Sequence, residues 1–584
     1  MNHSNLTRLS SAPISVVASR LLPNRWDLLA IPLLLGVFVL LTHGARSMSE
    51  PLTTLQATPL SLDASALPGY ALLTTLRMLA ALMLSLVFTF TYGTLAAKSR
   101  RTGALLVPLL DILQSVPILG FLSFTVTAFL GLFPGNALGA ECAAIFAIFT
   151  SQAWNMAFSF YQSLRTLPQD LDEVTRSFGL SGWQRFWRLE VPFAVPGLVW
   201  NTMMSMSGGW FFVVASEAIS VGNTNITLPG VGSYVAMAIQ HRDITAIGLA
   251  ILTMFIVIVL YDQLLFRPIV AWAEKFRFEQ TASGPPANSW FLTLLRRATW
   301  VGRSTAPVSL AARQLIRRRG FFQKYRPPHF ATNLVAEKTV DVLWYIALGV
   351  VAAFAAWHVF SFVSAKLNFG DLLSALGLGF ITLLRVILLI ALASLIWVPL
   401  GVWIGLRPRL AQAVQPLAQF LAAFPANLMF PVAVIVIVRY HLHPDIWLSP
   451  LMILGTQWYI LFNVIAGAAA FPGDLKEAAA SLRLTGWHWW TKAILPGIFP
   501  YYVTGAITAS GGSWNASIVA EVASWGTTRL EAHGLGAYIA TATEAGDYPR
   551  LVLGVAVMSF FVVALNRVLW RPLYAYAERH LRTS

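Results

Sequence analysis

The sequence predicts an all-α integral membrane protein of about twelve transmembrane helices, arranged as two parallel six-helix repeats. Two observations carry this reading. The 584 residues are 57% hydrophobic and only 11% charged, with a mean hydropathy of +0.66, so water cannot be the solvent for most of the chain. Its second half also repeats the first without a gap over about a hundred residues.

An α-helix needs about 20 apolar residues to cross a hydrocarbon core of roughly 30 Å. Hydropathy places such stretches at 27–46, 70–97, 104–133, 138–160, 194–216 and 245–267, then at 339–364, 372–406, 410–440, 446–470, 498–520 and 549–570. The first follows a polar stretch holding Arg8, Arg20 and Arg25, lacks a small-residue cleavage site and is expected to be a retained anchor. Lys98, Arg100 and Arg101, the segment from Arg165 to Arg188, and the segment from Arg567 to Arg582 fall on one side if both termini are cytoplasmic. The net charge of +15 therefore reflects loop bias in an inner-membrane, multi-pass protein rather than nucleic-acid binding. With Cys142 as its single cysteine, the chain can hold neither an intramolecular disulfide framework nor a cysteine-based metal cage, and no metal site is expected.

The repeat is explicit. LLFRPIVAWAEK around Arg267-Pro268 returns as VLWRPLYAYAER around Arg571-Pro572, 304 residues on. The same offset pairs Gly182-Trp183 with Gly486-Trp487, Pro192 with Pro496, Pro196 with Pro500, Trp210 with Trp514, Glu217 with Glu521 and Gly232 with Gly536. Upstream the offset is 308, pairing Arg77 with Arg385, Gly93 with Gly401, Pro108 with Pro416 and Pro117 with Pro425. An even number of spans per half makes the repeats parallel, related by an axis along the membrane normal. The expected domains are a first repeat at 1–267, a basic cytoplasmic linker at 268–338 and a second repeat at 339–584. The linker holds Gly284-Pro285-Pro286, Arg317-Arg318-Arg319 and Pro327-Pro328; its middle, Trp290 to Arg319, reads either as an interfacial amphipathic helix or as a solvated basic loop.

Between the fourth and fifth spans of each half lies a patterned polar loop: DEVTRSFGLSGWQRFWRLEVP from Asp172 to Pro192, and KEAAASLRLTGWHWWTKAILP from Lys476 to Pro496. Here the chain resembles the binding-protein-dependent ABC permeases, whose cytoplasmic loop reads EAA, three residues, glycine, nine residues, Ile, any residue, Leu-Pro. The second copy matches at Glu477, Ala478, Ala479 and Pro496 but has Arg483 in place of the glycine; the first keeps Glu173, Gly179 and Pro192 but has Val174 and Thr175 in place of the alanines. In both, Gly182 and Gly486 can supply a turn three residues later. The resemblance implies a fused double permease of the type I importer fold, in which each loop forms a short helix docking in a groove of a separate ATPase. It implies as partners two ATPase copies, a periplasmic or lipid-anchored solute-binding protein and the surrounding lipid, with ATP and Mg held by the ATPase and no cofactor on this chain. Trp183, Phe186 and Trp187, with Trp487, Trp489 and Trp490, offer aromatic anchors for that docking or belong to an interfacial belt. No phosphate loop, zinc helix or nucleophile elbow is present, so no catalytic residue is assigned and the chain reads as a transport subunit rather than an enzyme.

For the pathway, the fifth spans carry polar residues that should face the bundle interior: Asn201, Ser205 and Trp210 in one half, Thr508, Ser513, Trp514 and Asn515 in the other. Gly208-Gly209 and Gly511-Gly512 suit close helix packing instead. Glu217 and Glu521 are candidate gating residues, expected to pair with a loop cation, while Arg77 and Arg385 are expected to snorkel to the interface. Each glutamate precedes a Gly-x-Gly-x-Tyr stretch, Gly230 to Tyr234 and Gly534 to Tyr538, a likeness to nitrate, sulfonate and taurine permeases that implies an oxyanion as solute. The rival readings are a major-facilitator-like secondary transporter, and an importer of iron or a thiamine-like compound.

Overall fold

The computed structural model describes residues 24–48, 60–115, 118–221, 224–276, 289–317, 334–469, 471 and 473–580. The expectations on Arg8, Arg20, Pro117, Gly284-Pro285-Pro286, Arg318, Arg319, Pro327-Pro328 and Arg582 lie outside the described residues. The described chain is helical apart from two short antiparallel hairpins, Ala218–Val221 with Thr224–Thr227 and Val522–Trp525 with Thr528–Glu531, which the hydropathy reading did not foresee. They too are 304 residues apart, immediately after Glu217 and Glu521.

In lipid the backbone must satisfy its own hydrogen bonds, which favours long helices over any open sheet. Among the described residues six helices are long and apolar enough to cross a membrane: Asp27–Arg46, Ala64–Lys98, Ile244–Phe276, Val342–Ser364, Phe369–Gly405 and Tyr548–Ala577. Two bent pairs raise the number to eight if each counts as one span. The helices Leu138–Arg165, Val191–Glu217 and Leu495–Ala520 occupy expected spans with more polar sequences. Not every predicted span is one rod. Residues 410–440 break at Phe424-Pro425 with a 78° bend, because the residue before a proline is pushed out of the helical region. The stretch 446–470 bends by 44° between Leu454 and Gln457, and the 104–133 stretch comprises the separate helices Arg100–Ser115 and Ile118–Leu132.

Four prolines account for four local distortions. Phe186–Glu190, Asp262–Phe266, Trp490–Ile494 and Asn566–Trp570 are π-helical turns. In each, the central residue lies four positions before a proline: Pro192, Pro268, Pro496 or Pro572. A proline ring collides with the carbonyl four residues back and donates no N–H, and one wider turn relieves both conflicts without ending the helix.

The chain divides into two compact units. One comprises Met1–His43, Leu167–Val199 and Leu260–Pro328; the other comprises Gly44–Thr166, Trp200–Val259 and His329–Ser584. In the first, the linker forms two helices, Trp290–Arg297 and Thr299–Arg317, so it is not simply a solvated loop. Ala30 of the anchor packs there with Phe291, Leu294 and Ala298. The core of the second unit draws on both repeats, with Ala143, Ala147 and Phe212 in the same cluster as Val386, Ile460 and Trp514.

Candidate functional site

The two polar loops fold alike. Each begins with a short helix, Gln169–Ser177 or Gly473–Ser481, whose glutamate, Glu173 or Glu477, is exposed, as is Ala478, while Thr175 and Ala479 turn inward. Thr175 donates its hydroxyl to the Asp172 carbonyl, which lets it fill an alanine's place. Leu180 N–H then donates to the Thr175 carbonyl and Leu484 N–H to the Ala479 carbonyl, 3.1 and 3.0 Å, closing each helix through a residue of positive φ. That residue is Gly179 at φ 62° in one copy and Arg483 at φ 48° in the other. Arginine thus accepts the conformation for which glycine is suited, and the loop geometry survives the departure. Gly182 and Gly486 open the next turns, where Ser181 and Gln184 form a reciprocal cap in the first copy. Arg185 binds Asp172 at 2.6 Å and Glu190 at 3.1 Å, tying the first loop across its width. Trp183 is half-buried and donates its indole N–H to the Leu315 carbonyl of the linker, whereas Trp487 is 75% exposed. Each loop runs through its π-turn into a fifth-span helix, past Pro192 or Pro496, to Glu217 or Glu521.

Those glutamates lie in buried ionic clusters, which corrects two expectations. Arg77 does not snorkel: it is fully buried, with Nε and Nη2 donating to the two Glu141 carboxylate oxygens at 2.7 Å and Nη1 to Glu217 Oε1 at 2.6 Å. Glu217 therefore pairs with a cation inside the span rather than with one from a loop. It also accepts from Thr74 Oγ1 and from Gly232 N–H, both at 2.7 Å, and Ser233 Oγ donates to its backbone carbonyl. The second half repeats the arrangement. Arg385 binds Glu521 and Asp445, each at 3.1 Å, and Thr382 Oγ1 donates to Glu521 at 2.9 Å. The repeat offsets pair Thr74 with Thr382, Arg77 with Arg385, Glu141 with Asp445 and Glu217 with Glu521, while the N–H that reaches the second glutamate comes one residue later, from Ala537. An arginine in hydrocarbon is costly unless paired, and here two carboxylates surround each one.

The Gly-x-Gly stretch follows from this packing. A Cβ on Gly230 would overlap the Glu217 carboxylate, and one on Gly534 the Glu521 carboxylate. Gly232 and Gly536 press on the backbone carbonyls of Val214 and Ser517. The copies differ in solvation: Arg77, Glu141 and Glu217 side chains are 0, 4 and 0% exposed, whereas Arg385, Asp445 and Glu521 are 12, 26 and 1% exposed, with the open His533 ring on Asp445.

A cavity of about 180 Å³ lies inside the second unit, lined from both repeats by Thr150, Asn155, Ser207, Thr456 and Tyr459 among others. Of the expected pathway residues, Ser205, Thr508 and Asn515 line it. Asn155 donates to Ser205 Oγ, and Asn515 accepts from Ile118 N–H while donating to the Gly511 carbonyl. Asn201, Trp210, Ser513 and Trp514 sit outside the cavity lining: Asn201 donates to Ser159, Ser513 shares a hydrogen bond with Thr456, and the two tryptophans are 1% exposed, Trp514 stacked on Phe561. Sequence reasoning missed Glu141 and Asp445. Their signal was a carboxylate recurring at the repeat offset at the start of the fourth span of each half, together with an arginine recurring in the second span.

Two parallel copies of one helical unit, each joining a patterned polar loop to a buried charge cluster, define a duplicated membrane transport subunit. The family model for the binding-protein-dependent transport system inner membrane component matches the chain twice, over residues 89–267 and 397–582, and the chain belongs to that family. It is 28% identical over 181 residues to the bicarbonate transport system permease protein CmpB of Synechococcus elongatus, covering 31% of this chain and 62% of CmpB. It is 26% identical over 175 residues to the nitrate import permease protein NrtB of Leptolyngbya laminosa, covering 30% of this chain and 59% of NrtB. The glycine betaine/proline betaine transport system permease protein ProW of Escherichia coli is 27% identical over 202 residues, covering 34% and 54% respectively. The chain thus spans about three fifths or less of the length of these curated relatives.

Proposed function

We propose that this chain is the permease subunit of an ATP-driven importer that carries a small oxyanion inward by alternating access. The observation that carries the reading is the continuity of each exposed loop with the helix that ends in a buried charge cluster, present twice. In this reading Glu173, Gly179, Gly182, Trp183, Pro192 and their counterparts from Glu477 to Pro496 form two sockets, each for one copy of a separate ATPase. Closure of the ATPases on nucleotide draws on both sockets and opens the helices outward, where a solute-binding protein delivers its load. Both termini and the basic linker then face the cytoplasm, in keeping with the basic loops. The domains are proposed as repeats at 1–267 and 339–584 joined by 268–338.

Moving such an equilibrium from 1:99 to 99:1 needs about 5.5 kcal/mol of differential binding, which two docked sockets can share. The hydroxyl and amide groups of the cavity supply hydrogen bonds without a fixed counter-charge, suiting passage of an anion rather than its storage. Nitrate and bicarbonate are the solutes to try first, since the similar proteins NrtB and CmpB are named as nitrate and bicarbonate permeases. The test is reconstitution of the chain with its ATPase and binding protein in liposomes. Replacing Glu173 and Glu477 together by alanine should abolish solute-stimulated ATP hydrolysis while leaving the chain folded; unchanged stimulation would refute the socket assignment. Uptake of glycine betaine but of neither anion would replace the solute assignment alone.

A further inference from the structure

The linker is a built element tied to the start of the anchor helix. Asp27, the first residue of the Asp27–Arg46 span, is buried and caps the second linker helix: Trp300 N–H donates to its Oδ1 at 2.8 Å and Thr299 Oγ1 to its Oδ2 at 2.9 Å. Asn24 donates to the Arg297 carbonyl, the Arg297 guanidinium lies 5.0 Å over the Trp26 ring, and Trp290 donates to Gln263. The first residue of a span lies at the membrane–water boundary, so the N-terminus of the Thr299–Arg317 helix is pinned at that depth.

What this helix presents there is specific. At 100° per residue, Trp300, Val301, Ala311 and Leu315 share one side, while Arg303 and Arg313 lie off it. Trp290, Trp300 and Leu315 are 54, 46 and 57% exposed, and Arg25, Arg296, Arg297, Arg303 and Arg313 are all exposed. No acidic residue occurs between Glu279 and Glu337, so every charge the linker helices themselves contribute is positive. Exposed tryptophans at the boundary beside an unopposed basic surface match an anionic lipid surface better than an ATPase groove.

We propose that the linker helices form an arm that binds the anionic headgroups of the adjacent leaflet and, through the Trp183 indole resting on the Leu315 carbonyl, braces the first polar loop but not the second. The duplicated loops are then unequal by construction, the first held against lipid and the second open. This inference does not depend on the transport reading, because lipid docking is measured without an ATPase.

The experiment is hydrogen–deuterium exchange on the full chain in nanodiscs of phosphatidylcholine alone and of phosphatidylcholine with phosphatidylglycerol at a 7:3 ratio. Each arginine near such a surface strengthens association about fivefold. Amides of 301–317 should therefore be more protected in the anionic discs. Arg303→Gln combined with Arg313→Gln should lower that added protection by up to about 25-fold, and molar salt should remove it in the unmodified chain. Equal exchange in both lipids overturns the proposal, as does protection that appears only when an ATPase is added, whatever the lipid.

Discussion

Replacing Arg77 by methionine keeps the volume of the side chain and removes its charge from a sealed site. Three short donor contacts disappear, two of them to Glu141, for which no other side-chain partner is seen among the described residues. Glu217 keeps Thr74 and the Gly232 N–H, so the loss falls mainly on Glu141, a carboxylate only 4% exposed. Breaking a buried pair in this way costs about 3–5 kcal/mol. Arg385→Met at the matched position leaves Asp445 26% exposed and still bound by the His533 N–H, and leaves Glu521 with Thr382 and the Ala537 N–H. Partly hydrated pairs at 3.1 Å are worth about 1–2 kcal/mol. Between the middles of these two ranges the difference is about 2.5 kcal/mol, about seventyfold in the folding equilibrium. Reversible unfolding in mixed detergent and SDS micelles measures it, with both variants in the same full-length background. Adding Glu141→Gln to Arg77→Met should recover part of the loss, since an amide tolerates the site better than an orphaned carboxylate. Equal destabilisation of the two arginine variants, or no recovery in the double variant, would refute the ion-cluster reasoning.

Two further outcomes follow from backbone geometry and are read by the same unfolding assay. Arg483→Gly should stabilise the protein by up to about 1 kcal/mol, because relief of the left-handed conformation outweighs the added freedom of the unfolded chain, while Gly179→Ala should cost about 1 kcal/mol. Gly230→Ala and Gly534→Ala should each cost about 1–3 kcal/mol through overlap with a carboxylate, although both positions have extended backbones that any residue adopts; Gly248→Ala, with nothing within 4 Å and inside the Ile244–Tyr261 helix, should instead gain up to about 1 kcal/mol and serves as the control without overlap.

How far the fold could be read from residues depended on whether a signal was local or paired. Helix positions followed from apolar length, and the duplicated loops followed from spacing, because both are properties of contiguous sequence. The break at Phe424-Pro425 was written in the proline, yet hydropathy averages over a window and runs through it. Arg77 looked like a snorkelling residue because its compensation comes from Glu141 and Glu217, 64 and 140 positions away. Repeat arithmetic could have found the partners, since a carboxylate and an arginine that recur together in apolar surroundings have few other ways to remain buried. Trp210 and Trp514 were grouped with the pathway because polar residues surround them in sequence. Helical geometry instead turns each ring into packing contacts, while Ser205, Thr508 and Asn515 reach the cavity.

The second repeat offers a mechanical route from loop to charge cluster within one compact unit. Its Leu495–Ala520 helix, 26 residues, spans roughly 39 Å, close to the full thickness of a bilayer with its headgroups. Immediately before it, the Trp490–Ile494 π-turn joins the loop without a flexible linker; immediately after it, Glu521 fixes Thr382, Arg385 and the start of the Leu535–Ala545 helix. Beyond Pro500, which removes one hydrogen bond near its start, a continuous helix between two anchored ends transmits displacement, whereas a hinge would dissipate it. Gly511 and Gly512 do not supply that hinge: the helix continues through both, and a Cβ on Gly512 would meet Thr456. Any movement imposed at Trp487 must therefore either shift the ionic cluster as a whole or break one of its contacts, and the 3.1 Å pairs of Arg385, reached by water through Asp445, are weaker than the 2.6–2.7 Å pairs around Arg77. Yielding should begin in the second repeat, with the sealed first cluster acting as the fixed reference.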